Sequence, residues 1–294
     1  MTQWALTELI NDEQAQFFRD NGYLRIPGAV TAQELQQLQN DTQGLIDYGA
    51  AEVRTERGYQ YYDSTVTGEK ILIRIEYPVH RSEACKRLMG HPSMLGVVEK
   101  ISGRDFISIG DALVVKMPGE GPQVAWHRDG GSEWSGSPQN FNVDTYLDEA
   151  DEDTCIWVMP GSNRWPDEKA EAWQGRDCEP AAAGAVPCLM KAGDVLLHDA
   201  RVLHGSPRTT APQQRRTLYY WFYPIEVVQR FNPTPGYCGR RSKFLQQCID
   251  ARNQSDCAAG EVPFDYRPCI PGDPPDDGPV SFIYGEHGAW MREP

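Results

Sequence analysis

The stretch AGDVLLHDARVLHGSPRTTAPQQRRTLYYWFYP, residues 192–224, decides the fold class. It holds two short apolar runs, GDVLLHDARVLHGS (193–206) and RRTLYYWFYP (215–224). Both are rich in Val, Leu and aromatic residues, and Gly, Pro or Asp clusters bound them, which is the signature of strands. The same punctuation recurs upstream in KILIRIEY (70–77), FISIGDALVVKMPG (106–119), NFNVDTYL (140–147) and CIWVMPG (155–161). The second of these reads as two strands around Gly110, or one bent at it. Many short strands at this spacing predict a sandwich or barrel, not a parallel α/β sheet.

The start of the chain is helical. Asn11, with Gln14 three residues on, caps a first helix anchored by Phe17 and Phe18 and closed at Gly22. After a short strand in YLRIPG, the motif TAQEL reads as a capping box, Thr31 with Glu34. Leu35, Leu38 and Leu45 then share one helical face. A further helix is expected in RSKFLQQCIDARN (241–253). The segment VPFDYRPCIPGDPPDDGPV holds six prolines and excludes regular helix or central strand. The aromatic run SFIYGEHGAW (281–290) after it is expected to pack, extended, on the domain. No internal repeat is visible. We expect one domain over 1–294, with a helical part to about 60, a β core over about 70–230 and an extension from about 231.

Composition narrows the function. The 294 residues are 40% hydrophobic and 24% charged, as in a globular protein, with a formal net charge of −14. That charge repels a polyphosphate backbone, so nucleic acid is not the expected partner. No apolar run reaches the roughly 18 residues of a membrane span, and the N-terminus lacks a basic start and apolar middle. None of the eight cysteines forms a C-x-x-C pair, so free thiols and a cytoplasmic setting are expected.

Chemistry enters at VAWHRDGG (124–131). His127 and Asp129, one residue apart in a strand, point to one face and can offer an imidazole nitrogen and a carboxylate oxygen to one ion. Arg128 then points away. The second half of the chain supplies another histidine, His198 or His204, and an arginine, Arg215 or Arg216. Two histidines and a carboxylate form the facial triad of non-haem Fe(II) oxygenases, which leaves positions open for a co-substrate and O₂. A chelating oxo-acid needs a fixed cation for its far carboxylate, and an arginine fork supplies one. Adjacent strand residues face opposite ways, so one of Arg215 and Arg216 points inward. Arg74, inside ILIRIEY, reads as an edge-strand surface residue or as the partner of a buried carboxylate. Trp126, Trp134 and Trp157 are expected in the core or a pocket wall. His80, His91 and His287 read as structural, and DEADED (148–153) as a solvated turn lacking the EF-hand pattern.

Several ordered motifs together resemble the phytanoyl-CoA dioxygenase family of Fe(II)/2-oxoglutarate oxygenases. FFRDNGYLRIPGAVTAQELQQL is similar to its opening, WHRD to its W-H-x-D, and LDEADEDTCIWVMPGSN to the segment before its P-G-S-H. AGDVLLHDARVLHGSPRTTAPQQRRTLYYWF is similar to its G-D…H-G-S…R segment. Asn163 stands where the family often has His. The resemblance implies a double-stranded β-helix, or jelly roll, with N-terminal helices packed outside. It implies Fe(II) ligands at His127, Asp129 and His204, and 2-oxoglutarate contacts from Arg215 and Ser206. Some members carry a basic residue in the region of Arg74 that contacts 2-oxoglutarate or substrate. Related halogenases replace the carboxylate that is Asp129 here, so hydroxylation of a small organic molecule is expected, with Fe(II), 2-oxoglutarate and O₂. The same cofactors serve desaturation, epoxidation and ring formation. A non-catalytic, cupin-like metal binder is the alternative from another class.

Overall fold

Residues 215–224 form one strand, β11 (Arg215–Pro224), which lies in the middle of the larger of two sheets. The computed structural model describes residues 9–130, 139–179, 182, 184–231 and 234–272; Trp134, His287 and the run 281–290 lie outside them. On one side of β11 lies β4 (Phe106–Lys116), then β3 (Lys70–Glu76) and β2 (Tyr59–Asp63). On the other lies β6 (Phe141–Tyr146), then β9 (Val195–Asp199) and β1 (Tyr23–Ile26). Every pairing is antiparallel. The smaller sheet runs β5 (Val124–His127), β10 (His204–Ser206), β7 (Ile156–Val158) and β8 (Val186–Cys188). From β4 onward the chain crosses between the sheets at almost every strand, which makes the jelly roll that the sequence led us to expect.

The period of two sorts the larger sheet into two faces. Leu113, Val115, Val143, Leu218, Tyr220 and Phe222 lie on the outer face in one buried apolar cluster. Helices supply Phe18, Leu38, Leu95 and Phe244 to the same cluster. Full burial of a Leu or Phe contributes roughly 1.5–3 kcal/mol, so this layer carries much of the stability. The inner face mixes polar and aromatic side chains with small ones. Across it, Thr217 pairs with Val114 and Tyr146, Tyr219 with Ala112 and Asp144, and Trp221 with Gly110 and Asn142. Asn142 pairs in turn with His198.

FISIGDALVVK is a single strand, and Gly110 is where it irregularly meets β11: the register slips between Trp221 and Phe222. A Cβ on Gly110 would stand 1.9 Å from Trp221 Cε3. The glycine therefore makes the space in which the Trp221 ring lies. Gly110→Ala is expected to lower stability by about 1–3 kcal/mol through overpacking, read as a fall in melting temperature.

The helical start is mostly as the sequence indicates. α1 (Asp12–Asn21) has both halves of its capping box, and Gly22 takes the left-handed conformation. Phe17 is not an anchor: Phe18 is fully buried, while Phe17 is 42% exposed and meets Tyr23 edge-on. At α2 (Ala32–Ala51) Thr31 accepts from the Glu34 amide, but the Glu34 carboxylate does not return to the cap backbone. It pairs with the buried Arg252 and bonds the Thr31 hydroxyl, because a buried guanidinium takes the carboxylate ahead of an exposed amide. The C-terminal helix, α4 (Tyr237–Asn253), starts four residues earlier than expected, and α3 (Ile225–Phe231), unread in the sequence, precedes it. Residues 261–272 are neither helix nor strand, yet Tyr266 is buried and its hydroxyl donates to Phe106 O at 2.6 Å.

Candidate metal centre

β5 and β10 are antiparallel neighbours, and His127 and His204 are register partners across them. The pairing brings the two ring centroids to 4.2 Å. The Gly205 backbone packs so closely that a Cβ there would meet Val124 O at 2.8 Å, which accounts for the glycine of H-G-S. His127 Nδ1 lies 2.9 Å from Ala125 O, and His204 Nδ1 lies 3.0 Å from Val202 O. A ring nitrogen that faces a carbonyl oxygen carries the hydrogen, so each Nε2 keeps its lone pair. Asp129 Oδ1 lies 3.4 Å from His127 Nε2 and 3.8 Å from His204 Nε2. One ligand atom from each of the three side chains falls within 4.8 Å of the others. Two neutral imidazoles and one carboxylate are a donor set that fits Fe(II).

The electrostatics of Asp129 and His204 match that use, while at His127 burial is outweighed by the Asp129 carboxylate, which holds the imidazole above its ordinary value. Burial works against a charge on Asp129, but His204, His127 and His198 outweigh it and hold the carboxyl well below the usual range. Burial, then the neighbouring His127, push His204 down to about 3, which keeps it a neutral donor.

The three side chains open onto a cavity of about 120 Å³ that Ser206, Arg215 and Arg74 also line, with Asn142, Tyr219 and Trp221. Arg215 is 2% exposed. Its Nε donates to Thr154 O and its Nη1 to Thr217 Oγ1, and among the described residues no carboxylate pairs with it. Beside it, its register partner Lys116 is also buried and donates to Pro122 O and Pro207 O. Burial, then the charge of Arg215, push the Lys116 ammonium down to about 7. A buried cation without a counter-ion is costly, and an anionic ligand removes the cost. The Ser206 Oγ, buried on the smaller sheet and lining the same cavity, has no hydrogen-bond partner among the described residues.

Arg216 points the other way. It makes a two-pronged pair with Asp148 at 2.8 and 2.7 Å and donates to Gln39 O, tying α2 to the sheet. Asp148 in the acidic turn is thus an ion-pair partner and not merely solvated. Arg74 is neither a free surface residue nor fully buried. It lines the cavity while its Nε meets Glu76 Oε1 at 2.6 Å, and its guanidinium lies 5.3 Å from the Trp221 ring. Arg128 turns from the cavity to Asp167 and the carbonyls of Ser162 and Trp165. Trp126 and Trp157 belong to the core behind the smaller sheet. His91 caps a helix, and His80 is exposed.

Sequence reading missed three residues behind Asp129. His198, the alternative to His204 in the sequence, is a hydrogen-bonded histidine of β9: its Nε2 lies 3.0 Å from Asp129 Oδ2, and its Nδ1 faces Asp144. Burial opposes a charge on His198, yet Asp144 and Asp129 carry the imidazole up to about 10. Asn142 Nδ2 donates to the same Asp129 oxygen at 2.8 Å. The signal was present in NFNVDTYL, where Asn142 and Asp144 alternate with apolar residues on a strand that is buried on both faces. The aromatic lining was legible too, because Tyr219 and Trp221 share the parity of Arg215.

The chain is similar to known proteins over most of its length. A family model described as phytanoyl-CoA dioxygenase (PhyH) matches residues 18–217. A 2-aminoethylphosphonate dioxygenase from an uncultured bacterium, HF130_AEPn_1, is 24% identical over 212 residues, 70% of this chain and 79% of that protein. The dioxygenase FUM3 of Gibberella moniliformis is 25% identical over 270 residues, 83% of each chain. Among solved structures, EctD from S. alaskensis with 2-oxoglutarate and 5-hydroxyectoine shares the fold. Its TM-score is 0.60 at 23% identity, covering 76% of this chain and 80% of that one.

Proposed function

This chain belongs to the phytanoyl-CoA dioxygenase family, and from that premise we propose that His127, Asp129 and His204 hold Fe(II) while Arg215 and Ser206 hold 2-oxoglutarate. The protein is an Fe(II)- and 2-oxoglutarate-dependent oxygenase that acts on a small molecule. The finer proposal is a hydroxylase working as one domain. The observation that carries the co-substrate assignment is Arg215, a buried guanidinium without a carboxylate partner among the described residues, on the wall of the cavity that His127, Asp129 and His204 line. A non-catalytic metal binder has no use for such a clamp.

When bound, Fe(II) with 2-oxoglutarate activates O₂ to oxidise substrate, converting 2-oxoglutarate to succinate and CO₂. The residues of the chain set the stage for this. The Nδ1 contacts of His127 and His204 fix which nitrogen each ring presents. Arg215 takes the far carboxylate of the co-substrate in its fork, and Ser206 Oγ donates to it. Lys116 adds positive charge behind that carboxylate. Arg74, on the same sheet as Arg215 and lining the same cavity, can meet the co-substrate or an acidic group of the substrate, with Trp221 and Tyr219 beside it. Asp129 is intact, so the position a halide would need is filled.

The test is aerobic incubation with Fe(II), ascorbate and 2-oxoglutarate, reading succinate. Succinate above the enzyme-free control is expected, as is 2-oxoglutarate binding to the anaerobic Fe(II) protein. Absence of both overturns the proposal.

A further inference from the structure

The surroundings of the Asp129 carboxylate are unequal. Oδ1 faces His127 Nε2 and His204 Nε2 at 3.4 and 3.8 Å. Oδ2 faces the opposite way, toward Asn142 Nδ2 at 2.8 Å and His198 Nε2 at 3.0 Å. Behind it, His198 turns Nδ1 to Asp144 Oδ2 at 2.5 Å, and both side chains are fully buried. Asn142 and His198 are register partners on β6 and β9, and Asp144 lies on the same face two residues along. Polar groups are costly to bury, and on the outer face of the same strands Phe141, Val143, Val195 and Leu197 pack in the apolar cluster. A buried polar network of this kind is kept where its geometry serves a purpose.

We infer that Asn142, His198 and Asp144 are positioning residues that occupy Asp129 Oδ2, so that Asp129 presents one oxygen, Oδ1, to a metal ion. The inference rests on the metal-site reading above. A carboxylate with both oxygens free can bind an ion through one or both. With Oδ2 engaged, the chain supplies three donor atoms and not four, and the co-substrate and O₂ keep their places. Asp144 fixes the ring of His198, and His198 with Asn142 fixes the carboxylate. None of the three need touch substrate.

Co(II) titration of the full chain tests this, reading the ligand-field spectrum and the affinity of the Co(II) protein for 2-oxoglutarate. Three variants are compared: Asn142→Ala, His198→Leu with Asp144→Asn, and His198→Gln with Asp144→Asn. Asp144→Asn removes the buried charge that loss of His198 would strand. Glutamine can return an amide donor to Oδ2, and leucine cannot. Asn142→Ala and the leucine variant are expected to shift the spectrum and to bind 2-oxoglutarate roughly tenfold more weakly. The glutamine variant is expected to stay near wild type. If the leucine variant does not fold, Asn142→Ala decides. Unchanged spectra and affinities in a Co(II)-binding background overturn this inference alone, as does a glutamine variant no better than leucine. Failure of the wild-type chain to bind Co(II) overturns the metal-site reading and this inference with it.

Discussion

Asp129→Ala is expected to abolish Fe(II) binding and turnover together. The substitution removes the only anionic donor among the three clustered side chains, leaving two neutral imidazoles to hold a dication. It also strips from Asn142 and His198 the carboxylate oxygen that both face. Breaking one side of a buried charge pair costs about 3–5 kcal/mol, which corresponds to a loss of roughly two to four orders of magnitude in affinity. Anaerobic Fe(II) titration measures it directly. His127→Ala is expected to match it, since it leaves one imidazole and one carboxylate of the three clustered donors. Full turnover in either variant would remove that residue from the ligand set.

The second large effect separates two neighbouring arginines. Arg215→Ala is expected to raise the 2-oxoglutarate requirement by about two orders of magnitude, because truncating one partner of a buried, hydrogen-bonded charge pair costs about 2–5 kcal/mol. Arg216→Ala is expected to leave that requirement unchanged and to lower the melting temperature, since it strands Asp148 and frees the Gln39 carbonyl. Steady-state kinetics over a 2-oxoglutarate series and a thermal melt of each variant are sufficient. The reverse pattern would exchange the roles of the two residues.

Much of this was legible in the chain because strand parity is a strong rule. A period of two puts His127 and Asp129 on one face and Arg215 and Arg216 on opposite faces, and the family resemblance selects Arg215 as the inward one. Parity gives no depth, however. It could not tell that the inner face of β6 lies behind the metal-ligating carboxylate, so Asn142 and Asp144 looked like ordinary polar positions. His198 was seen as a rival to His204, whereas it supports Asp129 from behind. At the helical end, two adjacent phenylalanines cannot both face one core, and only the packed structure selects Phe18. Glu34 fits a capping box locally, but Arg252, more than 200 residues away, outweighs the local contact. Long-range ion pairs of this kind leave no trace in a window of sequence.

The cross-strand pairing of His127 and His204 has a mechanical side. β5 is a four-residue strand at the open edge of the smaller sheet, a place where a ladder frays first. An ion gripped by both imidazoles would act as a rivet through that edge, joining segments far apart along the chain and closing a long loop. Peeling the strand away would mean letting go of the ion, so resistance to fraying would rise with free metal concentration. The reactive centre and the seam that holds the barrel mouth shut would then be one fastening.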